Sequence, residues 1–250
     1  MTQNNIELEL GIDLKSKVLN NQTAYILGLI ISANEQMMIR GKKYWIAPVR
    51  HNSTEVLPEG LERHYNNVKA IARSMDLETN VQMRGYFQAN GVKLPSFTSH
   101  KGFVTIIPQI KDQYSIQDLI SDVIDAIRAS SSEIKRSFLV GAFDGRSSYD
   151  KTYKMISMDG TTTESMDLFE ELLGEFGLEV NINGGYSARK RENPSAKPRK
   201  TQIRVKEPLK FLKRIGYVSE TRIAKVISFY DPSLTVIHQN DILPGLKVVQ

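Results

Sequence analysis

Two stretches of the chain repeat the same arrangement of side chains, and this internal similarity constrains the fold more than any other feature. Tyr25–Ile30 (YILGLI) matches Phe138–Phe143 (FLVGAF), with a glycine inside an aromatic and aliphatic run in each. A second match follows each run: Val68, Ile71, Ala72, Met75 and Leu77 have the spacing of Phe169, Leu172, Leu173, Phe176 and Leu178. This spacing is typical of one apolar face of a helix. The sequence therefore predicts a duplicated structural unit with connecting loops of different length.

The elements predicted for the two halves follow a similar order. In the first half we expect helices near 22–33, 61–75 and 115–128, and strands near 43–49, 80–88 and 102–109. In the second half we expect helices near 133–143, 165–176 and 208–215, and strands near 152–157, 178–184 and 201–206. Gly216 is placed as a helix C-cap. The predicted divisions are 1–130 and 131–217 for the two units and 218–250 for a C-terminal helix and tail.

Composition excludes several classes of protein. Of the 250 residues, 40% are hydrophobic and 24% are charged, which are ordinary values for a globular chain. There is no cysteine, so disulfides and cysteine metal sites are excluded, and the four histidines stand far apart in sequence. The apolar run 24–31 is shorter than the ~20 residues that span a bilayer, and 1–5 lacks the charged start of a signal peptide. We expect a cytoplasmic protein with no membrane partner.

The positive charge is concentrated in one region of the sequence. The net charge is +5 and the pI is near 9.2. A basic run extends from residue 189 to residue 206, and Glu192 is its only acid. Its cations are Arg189, Lys190, Arg191, Lys197, Arg199, Lys200, Arg204 and Lys206, and Lys210, Lys213 and Arg214 follow closely. Clustering of this kind is the electrostatic pattern of a phosphate-binding surface.

These motifs resemble those of the LAGLIDADG homing endonucleases. The resemblance rests on the two glycine-containing runs and on Ile203–Lys206 (IRVK) followed by Leu209–Tyr217 (LKFLKRIGY). It implies an α+β fold in which two α-β-β-α-β-β-α repeats pack through paired motif helices and form a saddle for double-stranded DNA. It also implies a monomer with an internal pseudo-twofold axis. A helix that touches a twin needs a residue without a side chain at the crossing, so Gly28 and Gly141 are predicted packing positions; the alternative is a glycine tolerated in an ordinary core.

The resemblance also implies an acid at the end of each motif helix, which holds the divalent cations that activate water. The equivalent positions here are Ala33 and Arg146, and neither can bind a metal. The nearest carboxylates are Glu35 and Asp144, which are the predicted catalytic residues and magnesium ligands, with Asp150 as a further candidate. The alternative is that Glu35 and Asp150 are solvated loop acids and Asp144 is structural. Arg146 is predicted to bind a DNA phosphate or, alternatively, to be an exposed loop residue.

A sheet that lies in the major groove presents alternate side chains to the bases and phosphates. Residues expected on such a surface are Gln82, Arg84, Tyr86 and Gln88 in the first half, and Gln202, Arg204 and Lys206 in the second, together with the basic run from Arg189 to Lys200. Three functions remain open at this point. They are a metal-dependent site-specific endonuclease, a non-catalytic DNA- or RNA-binding protein (maturase-like or a transcription regulator) on the same scaffold, and an unrelated basic α+β protein.

Overall fold

The computed structural model describes residues 6–14, 18–51, 58–83, 86–89, 92–95, 101–150, 152–159, 162–183, 202–228 and 230. The helices within these residues are α1 (Asn21–Ala33), α2 (Pro58–Ser74), α3 (Ile116–Ala129), α4 (Ser132–Arg146), α5 (Thr163–Glu175), α6 (Pro208–Arg214) and α7 (Glu220–Ile227). The strands of the first half are β1 (Glu35–Ile39), β2 (Lys42–His51), β3 (Glu78–Met83), β4 (Tyr86–Ala89), β5 (Val92–Pro95) and β6 (Lys101–Pro108). Those of the second half are β7 (Ser147–Asp150), β8 (Met155–Asp159), β9 (Val180–Asn183) and β10 (Gln202–Val205).

Several helix ends are set by short polar side chains in the local sequence. Asn20 caps α1 by accepting from the Thr23 amide at 2.9 Å, and Ser115 and Thr162 form capping boxes at α3 and α5. Such caps satisfy backbone amides that have no partner within the helix. Gly216, with φ of 83°, follows the C-cap residue Ile215 of α6 and donates its amide to the Phe211 carbonyl. A glycine therefore ends this helix as predicted, one residue beyond the C-cap.

The two halves form two antiparallel sheets with the same core order of strands. The first sheet has the order β1-β2-β6-β3-β4-β5, and the second has the order β7-β8-β10-β9. When β4 and β5 are set aside, the four remaining strands of the first sheet correspond one by one to those of the second. The second half runs α4-β7-β8-α5-β9-β10-α6, so the α+β fold class and the internal repeat are both evident in the topology.

The structure corrects the predicted strands in two ways. The strand predicted over 80–88 is two strands, β3 and β4, which pair antiparallel with Gln82 opposite Phe87. The expected alternation of Gln82, Tyr86 and Gln88 along a single strand is therefore wrong; a glycine at position 85 was the sequence signal for the break. Strands β1 and β7 were missed because their sequences, EQMMI and SSYD, show no clean alternation of apolar and polar residues.

Helices α1 and α4 pack against each other at the two motif glycines. A Cβ atom added to Gly28 would lie 2.1 Å from the Phe138 carbonyl oxygen, and one added to Gly141 would lie 2.0 Å from the Tyr25 carbonyl oxygen. Each glycine thus lies against the backbone of the other helix, and its predicted role at the crossing is confirmed. Both helices are buried along most of their length and form the centre of the core. In the described part of the chain, no helix has the length and apolar character to cross a bilayer.

The ends of the motif helices and a candidate nucleic-acid interface

The C-terminal end of α1 is capped by an arginine from the other half. Arg146 donates through Nη1 to the carbonyl oxygens of Ala33, at 2.7 Å, and Ser32, at 3.5 Å. The last carbonyls of a helix have no partner within the helix and carry the negative end of its dipole. The guanidinium therefore neutralises the helix end at which the resemblance placed a metal-binding acid. The assignment of Arg146 to DNA stays a prediction.

The end of α4 is capped in the same way by Arg222, which lies on α7. Its Nη2 donates to the Asp144 carbonyl oxygen at 3.0 Å, and its Nη1 donates to the carbonyl oxygen and the hydroxyl of Ser147. The Ser147 hydroxyl also pairs with the hydroxyl of Tyr217 at 3.0 Å. Both motif helices consequently end on an arginine side chain that comes from a distant part of the sequence.

The carboxylate of Asp144 is fully buried at this junction. It accepts hydrogen bonds from the Tyr25 hydroxyl at 3.1 Å, the Val218 amide at 3.0 Å and the Ser219 amide at 3.3 Å. Nε2 of His64, also buried, lies 3.9 Å from it. Burial raises the pKa of Asp144 to about 6, and the nearby Arg222 and these hydrogen bonds oppose that shift. The side chain joins α1 and α4 to the start of α7.

Glu35, the other predicted metal ligand, lies at the start of β1 immediately after the α1 C-cap residue Asn34. Its Cα partner on β2 is Ile46, and its side chain is partly exposed. Ile46 belongs with Ile39 and Ile106 to a small apolar cluster that is separate from the main core. Because Trp45 and Ala47 enter the main core, alternation places Ile46 on the opposite face of the sheet. The sequence reasoning did not identify this apolar area on the outer face.

The contacts of Asp144 do not favour a magnesium ligand. Magnesium is held by exposed oxygen ligands that share the ion with several waters and the substrate, whereas the Asp144 oxygens are buried and already accept three hydrogen bonds. Among the described residues there is no group of three or more histidine, aspartate or glutamate side chains that could hold a metal ion. The assignment of Glu35 and Asp144 to metal and catalysis stays a prediction, and the contacts of Asp144 favour a structural role.

The second sheet presents an ordered polar row on β10, one of its two inner strands. Ile203 and Val205 of β10 are buried, and the alternate residues Gln202 and Arg204 are partly exposed. Asp159 accepts from Nε2 of Gln202 at 3.1 Å, and Oε1 of Gln202 accepts from Nε of Arg204 at 2.7 Å. These bonds orient the guanidinium. Within the described residues its two terminal nitrogens have no hydrogen-bond partner, so they are available to a ligand.

Lys206 continues this row beyond β10. Its amide donates to the Glu179 carbonyl at 3.3 Å, and its Nζ lies 2.5 Å from the Glu179 carboxylate. Of the other predicted DNA contacts, Gln82 lies in β3, and Tyr86 and Gln88 lie in β4. Arg84 and the residues Arg189, Lys190, Arg191, Lys197, Arg199 and Lys200 lie outside the described residues.

The sequence reasoning missed the residues that complete the junction. Arg222, Tyr25, His64 and the Val218 and Ser219 amides received no role, because nothing in the local sequence indicates that they meet Asp144. The only available signal was indirect: Asp144 interrupts an apolar motif, and a buried carboxylate requires donors.

Comparison with known proteins shows similarity at the level of structure. No family model matches the sequence, and no curated protein matches it. The homing endonuclease I-DmoI in complex with DNA and Mn has 13% sequence identity and a TM-score of 0.47, over 78% of this chain and 96% of that chain. The N-terminal LAGLIDADG domain of DUF199/WhiA has 14% identity and a TM-score of 0.41, over 82% and 88% of the two chains. Full-length DUF199/WhiA from Thermotoga maritima has 10% identity and a TM-score of 0.41, over 88% of this chain and 63% of that chain. The solved structures to which this chain is similar thus include LAGLIDADG proteins, the family that the motifs resemble.

Proposed function

We propose that this protein binds double-stranded DNA on a LAGLIDADG-like scaffold and does not hydrolyse it. The absence of hydrolysis is inferred from the side chains at the C-terminal ends of α1 and α4. Arg146 and Arg222 cap α1 and α4 where a cleavage centre would require carboxylates facing the DNA. Asp144, the acid within the last turn of α4, is fully buried.

Binding to DNA is supported by the polar row on β10. The Arg204 guanidinium is held in place through Gln202 and Asp159 and keeps its terminal nitrogens available. A guanidinium fork matches the O6 and N7 atoms of guanine in the major groove, and it matches a phosphate equally well. A side chain that is already oriented loses less conformational entropy when it binds. We assign Arg204 as the central contact of the second half, with Gln202 and Lys206 beside it.

Arginine at the helix ends can neutralise a phosphate but cannot replace the chemistry of a metal ion. A guanidinium has hydrogen-bond donors and no acceptor atom, so it cannot take a proton from water. It also supplies no Lewis-acid centre of the kind that lowers the pKa of a bound water. These residues therefore favour retention of the DNA over its cleavage.

We further propose that the chain acts as a monomer with an internal pseudo-twofold axis, divided at 1–130, 131–217 and 218–250. The contacts of Asp144 with Val218 and Ser219 support a structural role for the last segment, because they attach its first turn to the motif helices. We also propose the cytoplasmic location that the sequence predicted.

Equilibrium binding to a randomised DNA duplex library tests the proposal directly. Wild type should bind with an affinity that falls steeply with salt, and selection should enrich a particular sequence. Arg204→Ala should reduce affinity and relax the preference at one base position, whereas Arg73→Ala, which removes an exposed arginine from α2, should change neither. Equal behaviour of the two variants would remove Arg204 from the interface.

Incubation of the same complexes with magnesium or manganese tests the absence of hydrolysis. We expect intact DNA with wild type, with Glu35→Gln and with Asp144→Asn. Metal-dependent cleavage by wild type that disappears in Glu35→Gln would contradict the proposal and establish an endonuclease. A lack of any binding to duplex DNA would contradict its first part.

A further inference from the structure

We infer that a basic groove formed by α6 and the end of β10 binds the phosphate backbone of the same DNA duplex that Arg204 contacts. This inference rests on the proposed DNA-binding function and extends it from β10 to the exposed side of α6. The groove has a volume of about 460 Å³. Four cations line it, Lys206, Lys210, Lys213 and Arg214, together with a single acid, Glu207.

The charges in the groove are only weakly neutralised by the protein. Lys206 pairs with Glu179, and Lys210 pairs with Glu207 at 3.1 Å, both between exposed side chains. Ion pairs of this kind contribute little to stability, so a lysine can exchange its partner for a phosphate at low cost. Lys213 and Arg214, in the last turn of α6, are exposed and have no ion-pair partner within the described residues.

The position of the groove fits a backbone contact beside a base contact. Lys206 follows Arg204 by two residues along the extended chain, and the strand pairing continues to its amide. Two residues of strand span about 7 Å and place both side chains on one face. The major groove is about 12 Å wide, so a side chain near its middle has a phosphate wall about 6 Å away. A duplex that is contacted by Arg204 thus brings its backbone to Lys206 and the mouth of the groove.

The chemistry of the groove matches phosphate rather than bases. Three of its cations are lysines, which act as point charges towards phosphate oxygens. The same cations could bind the carboxylates of an acidic protein. DNA is favoured because Lys206 belongs both to the groove and to the polar row that contains Arg204. A single extended polyanion can therefore contact both.

The test compares two double variants matched in charge and residue type. Lys213→Ala with Arg214→Ala removes one lysine and one arginine from the groove, and Lys69→Ala with Arg73→Ala removes the same pair from α2. Binding of two duplexes of unrelated sequence is measured by fluorescence anisotropy over a series of salt concentrations. The groove variant should reduce the magnitude of the negative slope of log K against log[salt] by about 2. It should weaken the affinity for both duplexes by a similar factor, tens of fold at about 0.1 M salt.

The possible outcomes separate this inference from the proposed function. If the groove variant and the α2 variant have the same slope and affinity while Arg204→Ala still weakens binding, the groove is not part of the DNA interface and the proposed function stands. If wild type binds neither duplex, the proposed function fails. A groove variant that loses affinity for only one duplex would indicate a base contact and would overturn the assignment to phosphate.

Discussion

The crossing of α1 and α4 permits a sharp test of how the two halves are joined. In Gly141→Ala the new methyl group would lie 2.0 Å from the Tyr25 carbonyl oxygen and 2.8 Å from its carbonyl carbon. Both atoms are backbone, so no side-chain rotation relieves the clash, and the helices must separate by about 1 Å to restore van der Waals contact. A gap of this size forfeits a quarter to a half of the dispersion energy of each contact along the interface.

We expect this substitution to lower the free energy of unfolding by more than about 3 kcal/mol, at the upper end of what overpacking costs. The gain in helix propensity from alanine, about 1 kcal/mol, offsets only part of the loss. Gly28→Ala should lower the free energy of unfolding by a similar amount, because its methyl group would lie 2.1 Å from the Phe138 carbonyl oxygen. A change of 3 kcal/mol corresponds to a fall in Tm of roughly 6–12 °C for a chain of this size.

The chain offers its own control in Gly174 of α5, where an added Cβ would meet no atom within 4 Å. Gly174→Ala should therefore stabilise the protein by about 0.5–1 kcal/mol through helix propensity alone. Urea unfolding can be followed by the fluorescence of Trp45, the single tryptophan, which is buried in β2. If Gly141→Ala and Gly28→Ala stayed within 0.5 kcal/mol of wild type, the close crossing of the helices would be refuted.

Two further substitutions test the junction at the helix ends. Burial raises the pKa of Asp144 to about 6, so the folded state holds this proton more tightly than the unfolded chain; the resulting stability is present below about pH 4 and lost as pH rises to about 6. In wild type, the free energy of unfolding measured with urea should therefore fall by roughly 3 kcal/mol between these pH values. Asp144→Asn, with Tyr25, His64 and Arg222 left in place, should remove this fall. An unchanged pH profile would mean that the carboxyl is not buried. Arg146→Ala should lower the free energy of unfolding by about 1 kcal/mol because α1 loses its cap, whereas Arg73→Ala should change it by less than about 0.5 kcal/mol; equal effects would show that the cap contributes nothing.

Local sequence was sufficient to predict the helices and the repeat. The spacing of apolar residues along α2, α3 and α5 reports which face is buried, since helix periodicity is a local property. The function of Gly28 and Gly141 could be inferred for a similar reason, because a glycine inside an apolar helix requires a close approach. The inference failed at short or weakly patterned strands, such as β1 and β7, which depend on pairing with a neighbour. Their hydrogen bonds come from chain segments that the local pattern does not contain.

Tertiary structure determines which groups contact Asp144 and the last carbonyl groups of α1. The donors to Asp144 lie 119, 74 and 75 residues away in sequence, and Arg146 reaches across 113 residues to the Ala33 carbonyl. A carboxylate near the end of a motif helix is equally compatible with a metal ligand and with a buried anchor when only neighbouring residues are considered. Which of the two it becomes depends on whether water or protein donors surround it, and those donors meet it only when α1, α4 and α7 pack together.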